Sequence, residues 1–187
     1  MIEMRIIGGR ARGFPLKTRK GLGTRPTADL VRESLFNILA GQVAGSRFLD
    51  IFAGFGSVGI EALSRGALLC VFVENNRQCV KIIRDNLTLT NFADCALLVP
   101  KAADLALAEL AEKGNRFELV FLDPPYFSPA LPAALRLISS LPILVPDGLV
   151  VVEHHRLDTG WLEQGWTVIK EKKYGDTMLT FLATARR

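Results

Sequence analysis

Asp123-Pro124-Pro125-Tyr126 is the stretch of this 187-residue chain whose residue types most directly suggest a reaction. Proline lacks an N–H, fixes its own φ and holds the preceding residue extended. Two in a row make a stiff segment that offers carbonyl oxygens and no donors. Asp123 adds a carboxylate, a further acceptor, and Tyr126 adds a flat aromatic face. An acceptor-rich corner beside a stacking platform suits a planar ring carrying an exocyclic amino group. The N–H bonds of that ring would meet Asp123 and the Pro124 carbonyl. Its face would lie on Tyr126, a stack worth roughly 1–3 kcal/mol. Phe127 either widens the platform or belongs to the core.

A second group of residues points to a cofactor. Gly54-Phe55-Gly56-Ser57-Val58-Gly59 matches G-x-G-x-x-G, and Glu74 follows Gly54 by 20 positions. This is the dinucleotide spacing, but any cofactor with a ribose beside a tight strand–helix turn needs the same geometry. Phe52, Ala53, Gly54 and Gly56 would line the turn. Glu74, with Asn75 beside it, would accept from ribose hydroxyls. Asp50, four residues before Gly54, separates the candidates. A pyrophosphate beside a fixed carboxylate is repelled. S-adenosylmethionine has no phosphate and carries an ammonium and a sulfonium, which a carboxylate favours. The alternative for Asp50 is a strand-end carboxylate that caps the following helix.

Elements that position these groups alternate along the chain. The apolar stretches 47–52, 68–74, 96–99, 117–122 and 148–153 read as strands. Helical patterns at 58–65, from 74 to 91, 105–112 and 129–141 separate them. An earlier helix opens at Arg25-Pro26-Thr27, with Thr27 as its N-cap and Leu30, Ser34, Leu35, Ile38 and Leu39 on one face. Segments 166–172 and 178–185, joined at Tyr174-Gly175-Asp176, form a closing antiparallel hairpin. The expected fold is α/β, a doubly wound, Rossmann-like, mostly parallel seven-stranded sheet. It occupies one domain of residues 1–187, with a small N-terminal β-hairpin from segments 4–7 and 14–16 within a basic arm, 1–25.

That arm holds Arg5, Arg10, Arg12, Lys17, Arg19, Lys20 and Arg25 against Glu3, a net +6, while the other 162 residues carry −2. A basic arm on a near-neutral domain suggests a polyanionic partner, and these seven side chains are the candidate nucleic-acid contacts. Its apolar residues imply that it docks on the protein. No apolar run approaches a membrane span, and the start carries no signal-peptide core. Cys70, Cys79 and Cys95 lie in apolar surroundings with no C-x-x-C, which reads as core cysteine in a reducing compartment. His154 and His155 are neighbours on a strand and point to opposite faces, so no metal site is expected.

Asp50, the Gly54–Gly56 turn, Glu74 and Asp123–Tyr126 together resemble the motifs of class I S-adenosylmethionine-dependent amino-methyltransferases. Arg5-Ile6-Ile7-Gly8-Gly9, Arg25-Pro26-Thr27, Arg32 to Asn37, Phe52 to Gly66 and Tyr174 to Thr177 are similar to the RsmD-type 16S rRNA (guanine-N2)-methyltransferases over nearly the whole chain. The resemblance implies S-adenosylmethionine as cofactor, a guanine N2 amine as acceptor, and 16S rRNA in a small ribosomal subunit or its assembly intermediate as partner. It also implies a cytoplasmic protein; a monomer is the expected state. Many class I enzymes place an acidic or amide residue just after the third strand to meet the adenine amine. Here Asp104, or the backbone at Ala102 or Ala103, would take that role. The rival functions are a DNA or RNA adenine-N6 or cytosine-N4 methyltransferase, a non-catalytic rRNA-binding assembly protein, and an NAD-dependent oxidoreductase.

Overall fold

A computed structural model describes residues 4–18, 26–162 and 164–185, except for the side chains of 26 and 27. Helix α1 spans Pro26–Ile38 and precedes β1 (Arg47–Ile51), α2 (Ser57–Ser64), β2 (Leu69–Val73), α3 (Arg77–Leu89) and β3 (Ala96–Val99). Then come α4 (Ala103–Glu112), β4 (Phe117–Leu122), α5 (Ala130–Ser140), β5 (Leu144–His155), β6 (Trp166–Tyr174) and β7 (Thr177–Thr184). The strands form one sheet in the order β3-β2-β1-β4-β5-β7-β6. Strands β3 to β5 are parallel, and β7 lies antiparallel between β5 and β6. This is the expected α/β class, with the closing hairpin inserted by its second strand.

The sheet separates two apolar layers because alternate residues of a strand face opposite sides. Phe48, Phe72, Phe121 and Phe181 pack toward Leu35, Phe36, Ile60 and Ile83 of α1 to α3. Leu49, Val71, Val120 and Val152 pack toward Leu107, Leu110, Leu131 and Leu135 of α4 and α5. Asp50 shares the face of Phe48, so it points toward the α1–α2 side, against the hydrophobic trend of its strand.

Three local expectations are corrected. Helix α1 begins at Pro26, so Thr27 lies in its first turn instead of capping it; proline is suited to that first position because its missing N–H would have no partner there. Strand β5 starts earlier, at Leu144, although Pro146-Asp147-Gly148 has the composition of a turn. The register jumps from Phe117↔Leu144 to Leu119↔Leu149, so those residues bulge out and pairing resumes. The N-terminal hairpin is a single bridge, Arg5↔Pro15, because Pro15 has no N–H to extend a ladder. Hydrogen bonds Ile6 N–Phe14 O (3.0 Å) and Leu16 N–Met4 O (2.9 Å) flank it, and Met4, Ile6 and Leu16 are buried in the core.

Candidate active site

Strands β1, β4 and β5 run in register, with Asp50 beside Phe121 and Phe121 beside Val151. Two positions further on, Asp123 and Glu153 occupy the same face at the carboxyl edge of the sheet. In open parallel sheets this edge holds the ligand site. A cavity of about 210 Å³ opens there, lined by Asp50, Asp123, Glu153, Phe52, Ala53 and Gly54, among others, and closed on its far side by Arg32 and Leu35 of α1. A larger depression of about 670 Å³ lies at the opposite edge, between Pro146 and Ile169. Its lining holds one titratable side chain, Asp147, and no convergent chemistry.

The three carboxyls share one electrostatic problem. Asp50 is fully inside the protein, and burial raises its pKa to about 8, with a Gly59 N–H pulling it back and the charges of Asp123 and Glu74 pushing it further up. Burial raises Asp123 to about 7. Its side chain is nevertheless exposed through the mouth of the cleft, so water in the open cleft screens part of that shift and a ligand that displaces the water restores it. Glu153 is pushed well above the ordinary carboxyl range by burial and by neighbouring Asp123. Among the described residues lining the cavity, Arg32 is the one cation, and its charge is already engaged. One of its terminal nitrogens donates to Arg5 O (2.7 Å) and Asp29 Oδ1 (3.0 Å), and Nε lies 3.9 Å from buried Glu61. The cleft therefore favours a cation or an N–H donor and disfavours a phosphate.

The glycine turn sits against this cavity. Asp50 Oδ2 accepts from Gly59 N at 2.9 Å, in the first turn of α2. Gly56 at the N-cap of that helix has no side chain to do so. Asp50 thus both caps the helix and faces the cavity, combining the two roles the sequence offered as alternatives. A Cβ on Gly59 would meet Phe72 at 2.3 Å and Cys70 at 2.6 Å, so this glycine lets α2 lie directly on β2. Gly54 has open space where a Cβ would be, and its N–H donates to Glu74 Oε2 at 2.8 Å. Glu74 Oε1 accepts from Asn76 N at 2.8 Å. Two backbone donors thus hold this carboxylate at the turn, with lone pairs left for ribose hydroxyls. Phe52 follows β1 at φ 64°, a left-handed conformation that a bulky residue adopts only when its surroundings impose it.

After β4 the chain enters Asp123–Tyr126. Pro124 is buried and Pro125 and Tyr126 are exposed. No hydrogen bond reaches the Asp123 carboxylate among the described residues, while Asp123 N donates to Ile51 O at 3.4 Å. Tyr126 is exposed, its hydroxyl 3.2 Å from Thr177 Oγ1 and its ring 5.5 Å from that of His155. Phe127 is not core; its ring is 62% exposed and 5.2 Å from His155.

Glu153 and His155 were not foreseen as site residues. Their position was legible, because the strand after Asp123–Tyr126 must pair beside β4, but the placement of Glu153 in the cleft and of His155 against Tyr126 and Phe127 depends on register. His154 points the other way, with Nε2 2.9 Å from Thr180 Oγ1 and its ring edge-on to Trp161. Among the described residues no cluster of His, Cys, Asp or Glu is arranged to hold a metal ion.

Other expected contacts lie apart from the cavity. Asn75 is exposed, Ala103 packs half-buried at the start of α4, and Asp104 is exposed in its first turn. Of the basic arm, Arg5 Nη1 donates to Gly13 O, Arg10 covers the Phe92 ring at 4.5 Å, and Lys17 pairs with Asp85 at 3.4 Å. Arg12 is exposed. Arg19, Lys20 and Arg25 lie outside the described residues. Glu61 and Ser64 of α2 hold the arm: Ile7 N and Gly8 N donate to the Glu61 carboxylate at 2.8 Å, and Ala11 N to Ser64 Oγ at 3.0 Å.

Residues 4–183 match the family model described as conserved hypothetical protein 95. Ribosomal RNA small subunit methyltransferase D of Haemophilus influenzae is 35% identical over 92% of this chain and 90% of its own length. The chain belongs to this RsmD-type methyltransferase family. Bacillus subtilis (strain 168) YlbH is 41% identical over 82% of this chain and 83% of its own. The solved structure of Escherichia coli yhhF superposes with a TM-score of 0.84 at 34% identity, covering 99% of both chains. The chain is therefore a methyltransferase with the class I fold, and membership places its acceptor-rich corner and acidic cleft in an enzyme.

Proposed function

We propose that this enzyme transfers a methyl group from S-adenosylmethionine to the exocyclic N2 amine of one guanine in 16S rRNA, within the small ribosomal subunit or its assembly intermediate. We take it to act in the cytoplasm as a monomer. The observation that carries this reading is the cleft lined by the carboxyls of Asp50, Asp123 and Glu153, with the exposed Tyr126 three residues after Asp123. The cleft suits the cofactor. Glu74 is held at the glycine turn for ribose hydroxyls, Gly54 leaves room for close approach, and Asp50 offers negative charge to a sulfonium.

When bound, the cofactor supplies an electrophilic methyl on cationic sulfur. The protein supplies position. The N2 lone pair of guanine is delocalised into the ring, and acceptors at Asp123 and the Pro124 carbonyl, each taking one N2–H, favour its rehybridisation. Tyr126 stacks the base, which must leave its own stack to arrive. Alignment of this kind contributes on the order of 7–11 kcal/mol. As the N–C bond forms, the amine becomes acidic, and ionised Asp123 takes the proton or hands it to water. The cations of the basic arm, among them the exposed Arg12, supply phosphate contacts.

The test incubates the enzyme with methyl-labelled cofactor and, separately, small-subunit particles, free rRNA and DNA, followed by digestion to nucleosides. N2-methylguanosine from particles or rRNA is the expected product. N6-methyladenine or N4-methylcytosine would replace this substrate, and cofactor binding without any product would make the protein a binding module.

A further inference from the structure

Phe127 directly follows Asp123–Tyr126, and the chemistry above gives it no role. Its φ of 59° is left-handed, a region bulky residues rarely enter. Its ring is 62% exposed, so it buries little surface to offset the strain. Two contacts hold it in place. Its N–H donates to Asp158 Oδ2 at 2.7 Å, and its ring lies 5.2 Å from His155 at an interplanar angle of 47°. His155 is fixed in turn: Nδ1 accepts from Leu157 N at 3.1 Å, and its ring lies 5.5 Å from Tyr126. A set imidazole therefore stands between two exposed aromatic rings, on the segments that directly follow the cavity-lining Asp123 and Glu153. Tyr126, Phe127 and His155 belong to neither apolar layer of the core.

A base that leaves a helix to reach Asp123 opens a gap between its neighbours, and an apolar ring inserted there recovers stacking. A ring already held in place loses little freedom on insertion. We propose that Phe127, backed by His155, is a wedge that occupies the place of the extruded guanine while that base sits at Asp123. This rests on the reading of the protein as an rRNA base methyltransferase.

The experiment uses the full chain and two synthetic rRNA segments containing the guanine mapped by product analysis. In one the guanine is paired in a stem; in the other it is unpaired. Single-turnover methylation is followed on each. Phe127→Ala is expected to slow the stem substrate about 10- to 100-fold, the range of one lost base–aromatic stack, and the unpaired one by no more than about threefold. Phe127→Trp is expected to keep the stem rate, and His155→Ala to lower it by a smaller factor than Phe127→Ala. Equal losses on both RNAs, no loss on either, or a wild type that works only on the unpaired RNA would overturn the wedge. A loss confined to assembled particles would overturn it too, and would mark Phe127 as a contact to a ribosomal protein. Wild type inactive on both RNAs and on particles would overturn the function itself, and the wedge with it.

Discussion

Gly9 and Phe127 both have positive φ, 77° and 59°, and the surroundings of the two residues are opposite. Gly9 adopts the conformation that glycine tolerates, and it lies so close to α2 that a Cβ would meet Ser64 O at 2.0 Å. The polar groups around it are satisfied within the chain. Glu61 accepts from Ile7 and Gly8, and Ser64 Oγ donates to Gly8 O at 2.6 Å. Phe127 adopts a conformation its side chain opposes, four residues after Asp123, whose carboxylate accepts no hydrogen bond among the described residues. The Ile7–Ala11 segment is explained by the fold, whereas the Asp123–Phe127 segment is the one assigned to substrate in the proposed function. On that reading, two equally distinctive stretches of sequence mark, respectively, how the enzyme is assembled and what it acts on.

The largest expected effect tests the second half of that contrast. Asp123→Ala should slow single-turnover methylation by more than about 10³-fold, over 4 kcal/mol of transition-state stabilisation. Thermal unfolding and cofactor affinity should hardly change; near-normal turnover would remove Asp123 from the chemistry. Glu61→Ala tests the first half. It removes the buried carboxylate facing Arg32 Nε, leaving that guanidinium with Asp29 and Arg5 O alone, and frees two backbone donors, and denaturant titration should show a loss of about 3 kcal/mol. Activity per folded molecule should survive, and a stable but inactive variant would mean that the arm belongs to the chemistry.

A third test uses pH. Asp50 and Asp123 have folded-state pKa values raised to about 8 and about 7. Between pH 4 and 8 the folded chain therefore binds more protons at these sites than the unfolded chain. Their contribution to stability is complete below the unfolded pKa of about 3.9 and fades as pH rises through 7 to 8. Asp123→Asn should accordingly stabilise the ligand-free protein at pH 8 and leave it unchanged at pH 4, in parallel thermal melts. The single-turnover rate should climb through about pH 7 in the wild type, as Asp123 ionises, with no such limb in the variant. The smallest effect belongs to the arm. Arg12→Ala should reduce the slope of log affinity against log salt by about one phosphate contact and weaken binding about two- to threefold. Deleting residues 1–20 is not an equivalent test, because Met4, Ile6 and Leu16 are part of the core.

The parallel strands and their helices were legible because two-sided burial leaves nearly continuous apolar runs, as in Phe117–Leu122. The turn at Gly54, the carboxylate at Asp50 and the acceptor corner at Asp123 were legible because backbone geometry and charge restrict which residues fit. Other features depended on tertiary register. Glu153 resembles any polar residue near a strand end until β5 is placed beside β4. The bulge in β5 was hidden because Pro146-Asp147-Gly148 is also good turn chemistry. Glu61, buried in the middle of α2, reads in sequence as a surface residue of an amphipathic helix; only the docked Ile7–Gly8 backbone accounts for it. Arg10 was grouped with the candidate nucleic-acid contacts, and its place over the Phe92 ring was not legible in sequence.

The acidic lining of the cleft also bears on turnover. On the proposed assignment, a sulfonium donor would be drawn in by the carboxyls around Asp50, but once its methyl has left, the sulfur is a neutral thioether. The proton released by the methylated amine would neutralise Asp123 or pass to water. Part of the attraction that draws the donor in would therefore end with the reaction itself, and the spent cofactor would be held less tightly than the fresh one. The same carboxyls that select the incoming ligand would also help release the outgoing one, with no moving part required.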